Sequence, residues 1–262
     1  MKAYSILNLK GGVGKTITAV NLAAILATEY DLNVLVVDVD PQANATASLL
    51  GPGEYNTVTA LLTGLCDTYD DLIYPSTIRG VSVLPADDEL RNLDLGLLEG
   101  ERPNLMALLD LRKALEEDKA FDVMVIDCPP ALSPACAAAI VAATGIIIPI
   151  KLDSYAVRGM VELLSQIERL GKIEPGVKIS GILPTVWYRS DATEQGEALL
   201  RNHAPAHVFS THIRRSPKVD QSTWTGEPVV AWSPRSAAAC DYRDFVAELL
   251  DREEVLDRGE KV

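Results

Sequence analysis

The sequence predicts an α/β fold: a mostly parallel sheet with helices on both faces, carrying a nucleotide-binding loop of unusual form. Three observations predict it. A glycine-rich loop joins an N-terminal apolar run to a helical run, two later apolar runs each end on aspartate, and strand-like and helical segments alternate along the remainder.

Residues 3–9 have the apolar character of a buried parallel strand, and residues 16–30 carry apolar side chains at helical spacing. Between them lies Lys10-Gly11-Gly12-Val13-Gly14-Lys15-Thr16. Glycines 11, 12 and 14 let the backbone turn tightly enough for several N–H groups to face one anion, and the helix beginning near Lys15 adds the positive end of its dipole. In this strand, loop and helix context Lys15 reaches the terminal phosphates of a nucleotide, and the Thr16 hydroxyl sits on Mg²⁺. The ordinary phosphate loop has a glycine where this chain has Leu9, so the pattern that applies is the variant opened by Lys10.

Residues 33–37 are β-branched and apolar and run into Asp38-Val39-Asp40-Pro41-Gln42-Ala43-Asn44-Ala45-Thr46, while residues 123–126 run into Asp127-Cys128-Pro129-Pro130. Both put carboxylates at the carboxyl ends of expected parallel strands, where open α/β sheets bind ligands. The bland alternative for either aspartate is an N-cap or turn residue. Further strands are expected at 81–84, 145–150 and 177–183, with helices at 105–115 and 157–170. Residues 51–80 are expected to form helices and turns over the nucleotide edge. Residues 1–251 then make one domain, and 252–262 a charged tail that frays.

Composition narrows the function classes. With 262 residues, 48% of them hydrophobic, the chain can bury a substantial core. Cys66, Cys128, Cys136 and Cys240 lack metal-ligand spacing and fit reduced thiols in the cytoplasm. Lys2 is followed at once by the first strand, which leaves no room for a signal peptide. The uncharged stretch from Cys128 to Ile150 is long enough to span a bilayer, but Pro129, Pro130, Pro134, Gly145 and Pro149 divide it into loop, helix and strand. His203, His207 and His212 lie close together in sequence without a recognisable metal-site spacing.

The three motifs together resemble the deviant Walker A, phosphate-loop NTPases of the ParA/MinD group. The Asp-x-Asp-Pro-Gln-x-Asn-Ala-Thr wording is specifically similar to ParA partition ATPases. Looser matches at 213–218, 226–230 and 233–236 extend the resemblance over most of the chain. It implies ATP and Mg²⁺ as cofactors, with Gly11, Gly12, Val13, Gly14, Lys15, Thr16 and Ile17 around the nucleotide and Asp127 on Mg²⁺ through a water. It also implies that Lys10 crosses to a partner subunit's ATP and that Asp40 orients the attacking water, so that Lys10, Lys15 and Asp40 serve hydrolysis. Cations between two facing nucleotides are physically required, as with an arginine finger. Two departures stand out: Ile17 replaces a second threonine, and Ala43 replaces a common glycine. Arg214 stands where the family often has a proline near the adenine.

The resemblance further implies an ATP-dependent homodimer that binds double-stranded DNA non-specifically, with slow hydrolysis stimulated by a ParB-like centromere-binding protein. The setting would be plasmid, mobile-element or chromosome partitioning in a nucleoid-associated, cytoplasmic protein. Arg189, Arg214, Arg215 and Lys218 are the candidate DNA contacts, against the alternative of helix-end or salt-bridge residues. A formal charge of −13 removes long-range attraction to DNA and leaves only a local patch doubled by dimerisation. A MinD-like membrane ATPase would need a basic amphipathic C-terminal helix, whereas residues 241–257 are strongly acidic, so no membrane partner is expected. An amide-forming or tyrosine-kinase enzyme on the same scaffold is the remaining alternative.

Overall fold

The structure is a computed structural model and describes residues 1–66, 68–94, 103–153, 156–170 and 176–259. In chain order its elements are β1 (Lys2–Ile6), α1 (Lys15–Glu29), β2 (Val34–Asp38), α2 (Asn44–Leu49), α3 (Val58–Thr63), β3 (Tyr74–Pro75), β4 (Val81–Leu84), α4 (Leu90–Asp94) and α5 (Ala107–Glu117). They continue with β5 (Val123–Asp127), α6 (Pro134–Ala142), β6 (Gly145–Lys151), α7 (Ala156–Leu170), β7 (Lys178–Thr185), α8 (Asp191–His203), α9 (Pro217–Thr225), α10 (Val229–Trp232) and α11 (Ala237–Gly259).

The strands form one sheet in the order β3-β4-β2-β5-β1-β6-β7, parallel throughout except for the β3–β4 pair. Strands buried on both faces need apolar side chains at every position, and β2 and β5 are buried along their whole length. Their alternation divides the core in two. Leu35, Val37, Met124 and Ile126 pack with α3, α5 and α6 on one face, whereas Val34, Val36, Val123 and Val125 pack with α1 and α11 on the other. The uncharged stretch resolves into the expected loop, helix and strand: Ser133 caps α6 by accepting from the Cys136 N–H at 3.2 Å, and β6 lies in the sheet interior. Among the described residues no helix is long and apolar enough to cross a membrane.

The expected elements are present, with differences that have physical causes. β1 ends at Ile6 rather than Leu9; the Leu7 N–H still donates to the Ile147 carbonyl at 3.0 Å, but Asn8 turns away to bond the Pro149 carbonyl at 2.7 Å. Residues 51–80 contain an unforeseen edge strand, β3, too short and too proline-marked to show a two-residue period. The segment is tied to the β4 edge, through Val58 N–H to the Pro85 carbonyl at 2.8 Å and the pairing of Tyr74 and Pro75 with Val83 and Ser82. α11 runs on to Gly259, with Arg252 Nε donating to the Ser180 carbonyl at 3.0 Å and Glu253 accepting from the Ser180 hydroxyl at 2.9 Å. Residues 260–262 lie outside the described chain.

Candidate nucleotide site

The loop after β1 owes its shape to glycine. Gly12 (φ 70°) and Gly14 (φ 84°) occupy the left-handed region that side chains disfavour. Gly14 is also the N-cap of α1 and offers no side-chain hydrogen bond there, so first-turn N–H groups remain for an anion. The loop is held from across the sheet: the buried Thr185 hydroxyl, at the end of β7, donates to the Val13 carbonyl at 2.7 Å. No motif marks Thr185, because its partner is 172 positions away.

The carboxyl ends of β1, β2 and β5 bring the predicted charges together. Lys15 is buried at the start of α1, and its ammonium donates to the Lys10 carbonyl at 3.2 Å. Burial draws its pKa below the usual lysine range, against the opposing pull of Asp127 and Asp40. Asp127 is fully buried, and among the described residues neither carboxylate oxygen has a hydrogen-bond partner. Burial and then the Asp38 charge push its pKa well above the ordinary carboxylate value, while the Thr16 hydroxyl and Lys15 pull it down. A buried, unpartnered carboxylate beside a threonine hydroxyl at a phosphate loop has the chemistry of a Mg²⁺ position.

Asp38 plays a part that motif reading left unassigned. Its carboxylate accepts the Asp40 N–H at 3.0 Å and both the N–H and hydroxyl of Thr46 at 2.9 Å, stapling the loop that carries Asp40. Burial raises its pKa to about 6, with those bonds opposing. Within that loop Ala43 has φ 52°, so the position does require the left-handed region that glycine fills without strain. Ala43→Gly is expected to stabilise the fold by about 0.5–1 kcal/mol, the relieved strain exceeding the added chain entropy. Urea unfolding checks this, and a loss of stability would show that the loop is unstrained.

Lys10 stands outside the buried cluster. Its side chain is 42% exposed and paired with Asp153 beyond β6, while its N–H donates to Asn8 Oδ1 at 2.9 Å. On the other flank of the loop a cavity of about 320 Å³ opens between Gly12, Gly14 and Ile17 on one side and Arg214, Val219 and Tyr242 on the other. Ile17, a departure in sequence, is thus an apolar wall of that cavity.

The basic candidates do not form one free patch. Arg214 pairs with Asp241, its Nη2 donating to Oδ1 at 2.6 Å. Arg189 is 88% exposed and pairs with Glu194 at 3.4 Å. Arg215 lies beside that loop through its N–H bond to the Trp187 carbonyl at 2.7 Å, and Lys218 reaches Gln221 at 2.9 Å. His212 stacks on Trp187 with ring centroids 3.9 Å apart, and His207 lies 3.7 Å from Glu248. Among the described residues no group of three or more His, Cys, Asp or Glu side chains is placed to hold a metal.

An open, mostly parallel sheet with a glycine loop after its interior strand β1 and carboxylates at the ends of β5 and β2 defines the class: a phosphate-loop NTPase fold. Comparison narrows it. A family model described as an AAA domain matches residues 1–179. The chain is 35% identical over 254 residues to the chromosome-partitioning ATPase Soj of Thermus thermophilus, covering 96% of each chain. It is 31% identical over 258 residues to the chromosome partitioning protein ParA of Caulobacter vibrioides, covering 97% of this chain and 95% of the relative. Among solved structures, cobyrinic acid a,c-diamide synthase from Mycobacterium smegmatis with bound ADP and magnesium superposes with a TM-score of 0.79 at 27% identity, over 97% of this chain and 96% of the synthase. The chain belongs to the ParA/MinD family of phosphate-loop ATPases.

Proposed function

We propose that this chain is a ParA-type DNA-partitioning ATPase, in which Mg·ATP drives a sandwich dimer that binds duplex DNA and a ParB-like partner accelerates hydrolysis. The observation that carries the reading is the convergence of Lys15, Asp40 and the unpartnered Asp127 on the phosphate loop. Residues Gly11 to Gly14 cradle the phosphates with their N–H groups, and Lys15 neutralises the terminal charge. Thr16 and Asp127 would hold Mg²⁺, which when bound would supply charge neutralisation at the terminal phosphates. Asp40 orients the attacking water, and its stapled loop keeps that carboxylate in place.

Lys10 completes the site from the partner subunit. Its exposure suits that role, and its pairing with Asp153 gives way when the two nucleotides face each other. Hydrolysis by the chain alone is slow. The DNA candidates Arg189, Arg215 and Lys218, with Arg214 held by Asp241, are doubled by the dimer on a surface of otherwise negative charge. The acidic start of α11, with Asp241, Asp244, Glu248 and Asp251, weighs against membrane attachment and for a nucleoid-associated, cytoplasmic protein.

Light-scattering sizing with Mg·ATP, followed by duplex binding over a salt series, tests the reading. A dimer whose duplex affinity falls steeply with salt is expected. A protein that stays monomeric with ATP bound overturns the sandwich, and absence of duplex binding at low salt overturns the DNA role. A second reading, an amide-forming enzyme, draws on the likeness to the Mycobacterium synthase. It predicts ATP turnover that depends on a carboxylic acid acceptor and is indifferent to DNA.

A further inference from the structure

We propose that the ion pair between Arg214 and Asp241 is a positioning clamp for the nucleoside half of the nucleotide: it fixes one wall of the cavity beside the phosphate loop. This rests on the nucleotide reading above.

The clamp is built on a buried carboxylate. Asp241 is only 6% exposed, and both of its oxygens are taken by one residue. The Arg214 N–H donates to Oδ2 at 2.9 Å, Nε lies 3.0 Å from Oδ1 and 2.9 Å from Oδ2, and Nη2 donates to Oδ1 at 2.6 Å. Main chain and side chain of Arg214 therefore close on the same group. A forked guanidinium on a carboxylate fixes orientation as well as distance, which a lysine cannot do. Nη2 also reaches the Ala237 carbonyl at 3.3 Å, anchoring the fork to the first turn of α11.

What the clamp joins gives it a function. Arg214 lies in the cavity wall opposite Gly12 and Gly14, and Tyr242, the residue after Asp241, forms another part of that wall. The buried Tyr242 hydroxyl lies 3.3 Å from the Thr18 hydroxyl in the first turn of α1. Phosphate loop, α1, α11 and the 213–216 segment are thus locked into one frame around about 320 Å³, a volume at the scale of a small-ligand pocket. The backbone on either side of Arg214 is held separately, by Ile213 N–H to the Pro184 carbonyl at 2.8 Å and Arg215 N–H to the Trp187 carbonyl at 2.7 Å. Breaking the clamp loosens the wall without detaching the segment. The phosphates, which bind on the loop itself, do not depend on it.

This separation supplies the test. Affinities for Mg·ATP, Mg·ADP and inorganic tripolyphosphate with Mg²⁺ are measured by calorimetry for wild type, Arg214→Ala and Asp241→Asn, each checked for a cooperative melt. Loss of an outer group that holds a contact in place costs on the order of tenfold or more in affinity. Both variants are expected to bind ATP and ADP about tenfold more weakly and tripolyphosphate as tightly as wild type. Unchanged ATP affinity, or equal losses for ATP and tripolyphosphate, overturns the clamp. If the alanine and asparagine variants fail to melt cooperatively, Arg214→Lys, which keeps the charge and loses the fork, carries the comparison with a smaller selective loss expected. Wild type that binds neither ATP nor tripolyphosphate overturns the nucleotide reading itself, a result distinct from failure of the clamp.

Discussion

Lys10→Ala is expected to bind ATP and remain monomeric, with turnover lower than wild type by roughly three orders of magnitude. Its ammonium is the one cation of the loop that stands outward, half-exposed, while Lys15 is buried under the loop, where the proposed reading has it serve the nucleotide of its own subunit. Two polyphosphates cannot approach across an interface without cations between them, and a cation donated in trans typically accounts for 10³–10⁵ in rate. Light scattering with Mg·ATP reads the assembly, and phosphate release from the same sample reads the chemistry. A Lys10→Ala protein that dimerises like wild type would remove Lys10 from the interface.

The second large effect concerns Asp127 and carries a sign. The folded-state pKa of Asp127 lies well above its ordinary value, and that of Asp38 is raised from 3.8 to about 6. Between the unfolded and the folded values the native state holds protons that the unfolded chain has released. Ligand-free stability from these two groups is therefore fully present below pH about 4 and is lost as pH rises through their raised folded-state values, about 6 for Asp38. Asp127→Asn removes its share of that loss. The ligand-free variant is expected to melt above wild type at pH 7.5, with a smaller gap at pH 5. Mg·ATP raises the melting temperature of wild type and not of the variant, because binding stabilises only where the site exists. Comparing the two proteins cancels groups that titrate the other way, such as Glu248, whose pKa is lowered by backbone and side-chain bonds from Ser210 and Thr211 despite its burial. A variant no more stable than wild type at pH 7.5 would show that Asp127 is solvated or already partnered.

Much of the fold could be read from local pattern. The runs at 34–38 and 123–127 are continuous and apolar because both faces of the sheet are covered, and that burial leaves a plain trace in composition. The 51–80 segment left no such trace: β3 exists because Tyr74 and Pro75 pair with Ser82 and Val83 at an edge, not because of any period of their own. The partners of α11 near Arg252 were likewise hidden in the sequence. A charged sequence resembles a fraying tail until Ser180 and Lys2, distant in sequence, supply partners to Arg252 and Glu253.

The sequence by itself determined the phosphate loop, the two aspartate-ended strands and the family, because each is carried by contiguous residues whose spacing alone dictates the backbone they need. Tertiary structure decided the rest of the site. It showed that Ala43 sits at positive φ, that Asp38 staples the loop of Asp40, that Thr185 holds Val13 and that Lys10 meets Asp153. It also placed Arg214 in a cavity wall, paired with a carboxylate 27 positions away. A guanidinium has no role until its partner is known, and only the packing of α11 against the sheet brings Asp241 to it.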